Sequence, residues 1–502
     1  MRRLIFLLIA LSAILYASAC AEATVAPTPT LAPAPTQARA TTANPASTPT
    51  AERAQTAMPN ATATRTTTPT TTPTHTITPT PTVTPTPLQT FGVNQCAEIW
   101  QPGVYKLTND IVAPGTRDCI IIQSHDVTLD CDNRTIEGNT KIVKDKQYVY
   151  AAITVRKFNF PLLESPANVE IKNCKARYHK FGVNVTSGRN VYIHDNVFSD
   201  NLNTIDHTGF GIFLGLTDGG GIRLDDVRGA RIENNTTESE AIGIDVRNSD
   251  SVVIRNNTAS KNSAWGINLL NTSNSEVSAN TTRENVRYCR WGSGTVGRGC
   301  DAAGIILQDG SSNVVVKDNQ VLGDNANGIF IKAHGMRCGD NNVIQNNKII
   351  GALYNAVELS FCKGNKIIGN EMAGSYDAVY FGFTNGTEVR DNTIREMRNH
   401  GIITWNSRGS VIANNEITNS RVGIYMYWDE WEPKQFAFLP PSPDKYATRD
   451  NLIDGNFIHG NAVTGIRLSG AIFNKITNNR FANNAKNITT DGKTDGNTIQ
   501  GQ

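Results

Sequence analysis

Three groups of side chains in this 502-residue sequence have types and spacings suited to chemistry. Lys332, His334 and Glu358 combine two nitrogen bases with a carboxylate. Removing a proton beside a carboxylate needs such a base, with a cation to hold the enolate charge as it develops. Lys332 or His334 would be the base there, and arginine or calcium the stabiliser. Hydrolysis of a glycosidic bond wants two carboxylates at a set separation instead. Asp225 with Asp245, or Glu358 with a loop aspartate, would supply them. For each of these residues taken singly, an ordinary solvated side chain is the competing reading.

The second group is Arg223, Asp225, Asp226, Asp245 and Arg247. Arg223 precedes Asp245, and Asp225 precedes Arg247, by one common interval, as opposite charges on neighbouring strands would. Such a ladder steadies a sheet by roughly 0.2–1 kcal/mol per pair. Asp225, Asp226 and Asp245 also offer oxygens of the kind calcium takes. The third group is aromatic: Tyr380, Trp405, Tyr425 and Tyr427, with Trp428 and Trp431 close behind. Aromatic faces suit a sugar ring, which is apolar on its C–H face and polar at its rim. The alternative is a local satellite core beneath the segment 428–450.

A repeat positions these groups. Glycine or alanine followed by Ile or Val stands at 182, 221, 243, 266, 304, 328, 356, 378, 401, 423 and 465, mostly 22 to 24 residues apart. Asparagine keeps step at 235, 257, 280, 319, 347, 370, 392, 415, 456 and 479. Periods of this length mean a solenoid. Within each period, stretches such as GIDV, GINL and GIYM, then SVVIRNN and GSVIANN, read as short strands of period two with no helical spacing. Two or three short strands per turn make a parallel β-helix, with Ile, Val and Leu stacked inward. Asparagines at one bend can stack as well, each side-chain amide bonding the next.

At these residues the chain resembles the right-handed parallel β-helix (pectin lyase-like) superfamily, over roughly residues 96–500. The entry stretch PGVYKLTNDI…CIIIQSHDVTLDCDNRTIEG (102–138) is similar to that superfamily's first coils. The resemblance implies an all-β solenoid of about thirteen coils. The superfamily includes pectate and alginate lyases, polygalacturonases, uronate epimerases, phage tailspikes and a periplasmic protein that helps mature a copper site. The polygalacturonase aspartate pair before G-H-G and the D-P-H signature of alginate epimerases are both absent. Eight scattered histidines and six methionines give little support to copper handling.

The first ninety residues have another character. Residues 2–19 give a basic start, an apolar run and small residues, with Cys20 directly after. That reads as a signal peptide over 1–20, and Cys20 resembles a lipobox cysteine, although Ala17 stands where leucine is commoner. An ordinary signal peptide beside a cysteine is the alternative. Residues 21–90 hold 13 of the chain's 21 prolines and none of its 41 glycines, the composition of an unfolded Thr/Pro linker. The β-helix domain is expected over 91–502, exported and held at the cell surface by a lipid. From residue 91 onward, 42 Lys and Arg face 43 Asp and Glu, which argues against a nucleic-acid partner. Eight cysteines besides Cys20 suit disulfides in an exported chain. The expected pairs are Cys96–Cys119, Cys131–Cys174, Cys289–Cys300 and Cys338–Cys362.

Extra chain at 156–168, 204–220, 286–302, 336–342 and 428–450 borders the G-I-x-L strands on both sides, so their outer face is expected to form a cleft. Alternation points the second and fourth residues after each glycine outward. Polysaccharide binding or degradation along this cleft, of lyase or hydrolase type and with calcium as a candidate cofactor, is the function expected. A non-enzymatic structural or adhesin-like solenoid is the rival, and copper delivery the third possibility.

Overall fold

A computed structural model describes residues 88–138, 148–158, 164–201, 219–285, 302–323, 327–333, 337–428 and 447–501, together with the backbone of 288–290 and 296–298. The described chain is all β, wound as a right-handed helix of three parallel sheets. They have 17, 14 and 15 strands among the described residues. The 15-stranded sheet carries the G-I-x-L strands and runs from Ala97–Ile99 to Ile488–Asp491. It exceeds the eleven Gly/Ala-Ile/Val signals because its first two strands and its last carry no such pair, and because Ala152-Ile153, in register with Gly182-Val183, is a further one. Each strand pairs with its equivalent one coil away, Ile244 with Ile267 and Ile267 with Ile305. Inward Ile, Val and Leu are almost wholly buried and form one continuous column from Val93 to Ile476.

The repeated dipeptides now have physical roles. A Cβ on Gly243 would lie 2.5 Å from the carbonyl oxygen of Gly266 in the next coil, so only glycine fits. Of the pair Asn256-Asn257, the first takes the left-handed backbone that turns the chain (φ 57°). The second is buried, and its Nδ2 donates to Asn280 Oδ1 at 3.0 Å. The same bond links Asn196, Asn235, Asn257, Asn280, Asn319, Asn347, Asn370, Asn392, Asn415, Asn456 and Asn479 in an unbroken series at 2.8–3.0 Å. Each amide also serves backbone groups that the bend leaves unpaired, as Asn392 does for Ile367 and Arg390.

Disulfides join Cys96 to Cys119, Cys131 to Cys174 and Cys338 to Cys362, as expected. Cys300, and with it the proposed Cys289–Cys300 pair, lies outside the described residues. So do the segment 1–87, with Cys20, and Trp431.

Candidate functional site

The outer face of the 15-stranded sheet divides into two halves. Over the N-terminal half, Asn184, Arg223, Asp225, Arg247, Leu270 and Lys332 are half-buried and Thr186 is exposed, but the middle of the face is buried. Asp245, Asn268 and Gln308 are 1%, 0% and 2% exposed, and Ile306 and Phe330 are 0% and 7%. Ile306 and Phe330 join Ile242, Ala264, Trp265 and Ala303 in a second apolar cluster, separate from the main core. The middle of the expected cleft floor, from Asp245 to Phe330, is therefore covered.

Within this half, register sets Arg223 beside Asp245 and Asp225 beside Arg247. The closest ion pair is within one strand, Arg247 to Asp245 at 2.8 Å, with Arg223 3.7 Å from the same carboxylate. Asn268 Nδ2 donates to Asp245 Oδ1 at 2.8 Å, and Gln308 Nε2 donates to Asn268 Oδ1 at 2.7 Å. Asp225 accepts from Asn248, and Asp226 pairs with Lys157 at 3.8 Å. Asp245 thus faces two guanidiniums and an amide. Among the described residues no three His, Cys, Asp or Glu side chains gather as a metal ion would need.

Over the C-terminal half the same columns are half-exposed: Glu358, Tyr380, Ile403, Tyr425 and Arg467 in one, Trp405, Tyr427 and Ser469 in the other. The aromatic rings form one connected patch. Trp405 meets Tyr380, Phe383 and Tyr427 at centroid distances of 6.4, 5.2 and 6.5 Å, and Tyr425 lies 5.7 Å from Tyr427. Phe383 in turn stacks on Phe361 at 4.9 Å. Both phenylalanines are left-handed (φ 55° and 64°), at a turn where Asn248, Asn271 and Asn406 stand in other coils. Asparagine tolerates that backbone and phenylalanine does not, so each ring is placed against a local cost of about 1–2 kcal/mol. Along the strand starts, Tyr354 and Tyr376 are 45% and 44% exposed.

Of the expected catalytic residues, Lys332 ends the strand Asn327–Lys332 and Glu358 sits in the next, Asn355–Ser360, on the same face. Glu358 Oε2 accepts from Asn355 Nδ2 at 2.8 Å. His334 lies outside the described residues. The sequence reading missed Asp377 and His400. Register places Asn355 beside Asp377, and His400 follows in the next coil. The ring Nδ1 of His400 is 2.8 Å from Asp377 Oδ1, the same oxygen that accepts the His400 backbone N–H at 2.8 Å. Asn399 Nδ2 lies 2.9 Å from the same Nδ1. The signal was available, since each residue directly precedes the small residue of its repeat, 23 positions apart.

The sheets and this face together define a parallel β-helix whose half-buried outer face is aromatic toward one end. A family model described as right handed beta helix region matches residues 216–351 and 334–502, more than half of the sequence, and the chain belongs to that family. Among solved structures, it is similar to the Azotobacter vinelandii mannuronan C-5 epimerase AlgE6 A-module, at 14% identity over 80% of this chain and 89% of that one, with a TM-score of 0.44. A Yersinia enterocolitica family 28 exopolygalacturonase matches at 12% identity over 81% and 72%, with a TM-score of 0.39. The Dettilon tailspike protein matches at 13% over 65% and 61%, with a TM-score of 0.44. These scores are too low to carry an argument about function. No curated protein sequence matches.

Proposed function

We propose that the protein binds a polysaccharide along the C-terminal half of the 15-stranded sheet and acts on it there. The observation that carries this reading is the contrast within one sheet. Tyr380, Trp405, Tyr425 and Tyr427 are half-buried on successive coils, whereas Asp245, Asn268, Ile306 and Phe330, in the column that holds Tyr380 and Tyr425, are buried. Rings repeating coil by coil suit an extended sugar chain laid along the rod, with Tyr354 and Tyr376 at its edge. The same reading places the chain outside the cell, held to a membrane by a lipid on Cys20.

The test incubates the full chain with neutral and acidic polysaccharides, with calcium or a chelator, and measures retention of polymer, new reducing ends and absorbance of unsaturated uronates. Retention of at least one polymer is expected. Trp405→Ala and Tyr425→Ala should each weaken it about tenfold or more, the scale of losing one stacked ring. A folded protein that retains none of the polymers would end this reading and favour a purely structural solenoid. New ends with absorbance mark elimination, and new ends without it mark hydrolysis.

A further inference from the structure

We propose that the Cys338–Cys362 disulfide is a positioning element of the binding face, holding Phe361 and, through it, the series of rings that leads to Trp405. This rests on the polysaccharide reading and deepens it, because it makes Phe361 and Phe383 one edge of the sugar platform.

Other coils show what this place in the repeat needs for folding alone. Cys362 stands two residues past the end of the strand Asn355–Ser360. Ser249, Thr272, Thr384 and Ser407 hold the same place after Ile242–Arg247, Trp265–Leu270, Asp377–Gly382 and His400–Trp405. The equivalence extends to atoms: Cys362 Sγ lies 3.1 Å from Ser360 O, and Ser407 Oγ lies 2.9 Å from Trp405 O. The hydroxyls join coils by hydrogen bonds. Ser249 Oγ accepts from Val227 N and Ser407 Oγ from Thr384 N, both at 3.0 Å. A small hydroxyl residue therefore meets the packing and polarity of this turn. Among the described residues, this place is covalently tied to another coil only at Cys362.

What sets this coil apart is the residue before the cysteine. Phe361 has left-handed backbone (φ 64°), as does Phe383 in the next coil (φ 55°), at a turn where Asn248, Asn271 and Asn406 stand elsewhere. The Phe361 N–H donates to Gly382 O at 2.9 Å and the Phe383 N–H to Trp405 O at 2.8 Å, so both turns stay within the ladder. The two rings stack with planes 13° apart, and Phe383 continues to Trp405. Left-handed backbone is unfavourable for phenylalanine, and such a residue persists only where its surroundings hold it. Phe383 has a ring on either side, Phe361 and Trp405. Phe361 ends the series, and the disulfide on the very next residue removes the freedom by which its turn would relax.

The experiment measures polymer retention, melting temperature and amide exchange by mass spectrometry on the full chain and its variants. Cys338→Ser with Cys362→Ser should weaken retention about tenfold, the scale of one lost stacked ring. Its amide exchange should quicken over 358–364 and 380–386 and stay unchanged elsewhere in the rod. Cys131→Ser with Cys174→Ser, remote from this face, should lower the melting temperature and leave retention as it is. Phe361→Asn installs the residue that other coils use at this turn. It should keep or raise the melting temperature and weaken retention about tenfold. Adding the Cys338→Ser and Cys362→Ser changes to Phe361→Asn should cost no further retention, since the bond acts through that ring. Retention kept in the serine pair or in Phe361→Asn, or a further loss on combining them, overturns the proposal. A serine pair that does not fold overturns it too, because the bond is then a folding staple. If the wild type retains no polymer, the polysaccharide reading falls and amide exchange alone decides this one. Quickening confined to those two stretches sustains the positioning role, and its absence ends it.

Discussion

Glu240 and His179 are buried titratable residues that the binding face does not use, and their titrations oppose each other. Glu240 stands where neighbouring coils have Asn201 and Asn262. Its carboxylate accepts from Asn201 N and Nδ2 at 3.0 and 2.9 Å, and its own N–H donates to Asn262 Oδ1 at 3.0 Å. Burial holds its pKa well above the usual carboxylate range. The folded state therefore binds the proton more tightly than the unfolded chain does. The contribution of Glu240 is complete below about pH 4 and is lost as pH rises through the folded value. Glu240→Asn should raise the melting temperature at pH 7 by about 2 °C or more, with a smaller gain at pH 4. An equal gain at both pH values would show that protonation is not the cause. For His179, burial pushes the imidazole down to about 4 from its ordinary 6.5. Its contribution is present above pH 6.5 and is lost as pH falls toward 4. His179→Asn should flatten the loss of stability over that window, read from melting curves at half-unit pH steps.

Two elements hold buried polar groups, and each predicts a cost for breaking it. In the asparagine series, Asn392 accepts from Asn370 N and Nδ2 and donates to Asn415, Ile367 and Arg390. Asn392→Ala leaves several of these groups buried without partners, and about 3 kcal/mol of stability should go, measured by denaturant unfolding. A loss under 1 kcal/mol would mean that water replaces the amide. In the N-terminal half of the binding sheet, Asp245→Ala would remove the buried carboxylate that Arg247 meets at 2.8 Å and Arg223 at 3.7 Å. It should destabilise by about 3 kcal/mol while polymer retention stays unchanged, because the aromatic half lies several coils away. Lost retention at unchanged stability would instead move the site to the charged half.

Across the whole rod, each coil touches only its neighbours, so stability is close to a sum of local interfaces. The Cys131–Cys174 disulfide closes 43 residues between adjacent coils, worth about 4 kcal/mol by chain entropy. Replacing both cysteines by serine should speed amide exchange in the strands Val127–Asp130 and Ala167–Lys172. Exchange in Lys475–Thr477, at the far end, should not change. Equal acceleration at both ends would show that the rod unfolds as one unit.

What the sequence determined by itself is whatever recurs with the coil. The strands, the asparagine series, the glycine that only a close carbonyl explains and three disulfides were all readable, because one-dimensional stacking turns a fixed interval into a contact. Tyr380, Trp405, Tyr425 and Tyr427 were legible on the same ground, since alternation assigns each strand residue a side. Tertiary structure alone decided which stretch of that side is covered. Asp245 and Tyr425 hold outward places by the same rule, yet one is 1% exposed and the other half-exposed. Burial on the outer face depends on what packs over it, and that has no period to read. The Asp377–His400 pair went unseen for a related reason. It occurs once, in a column that holds Asn355 before it and Val422 after it. A single departure from a repeat acquires meaning only when the coil sets its two side chains 2.8 Å apart.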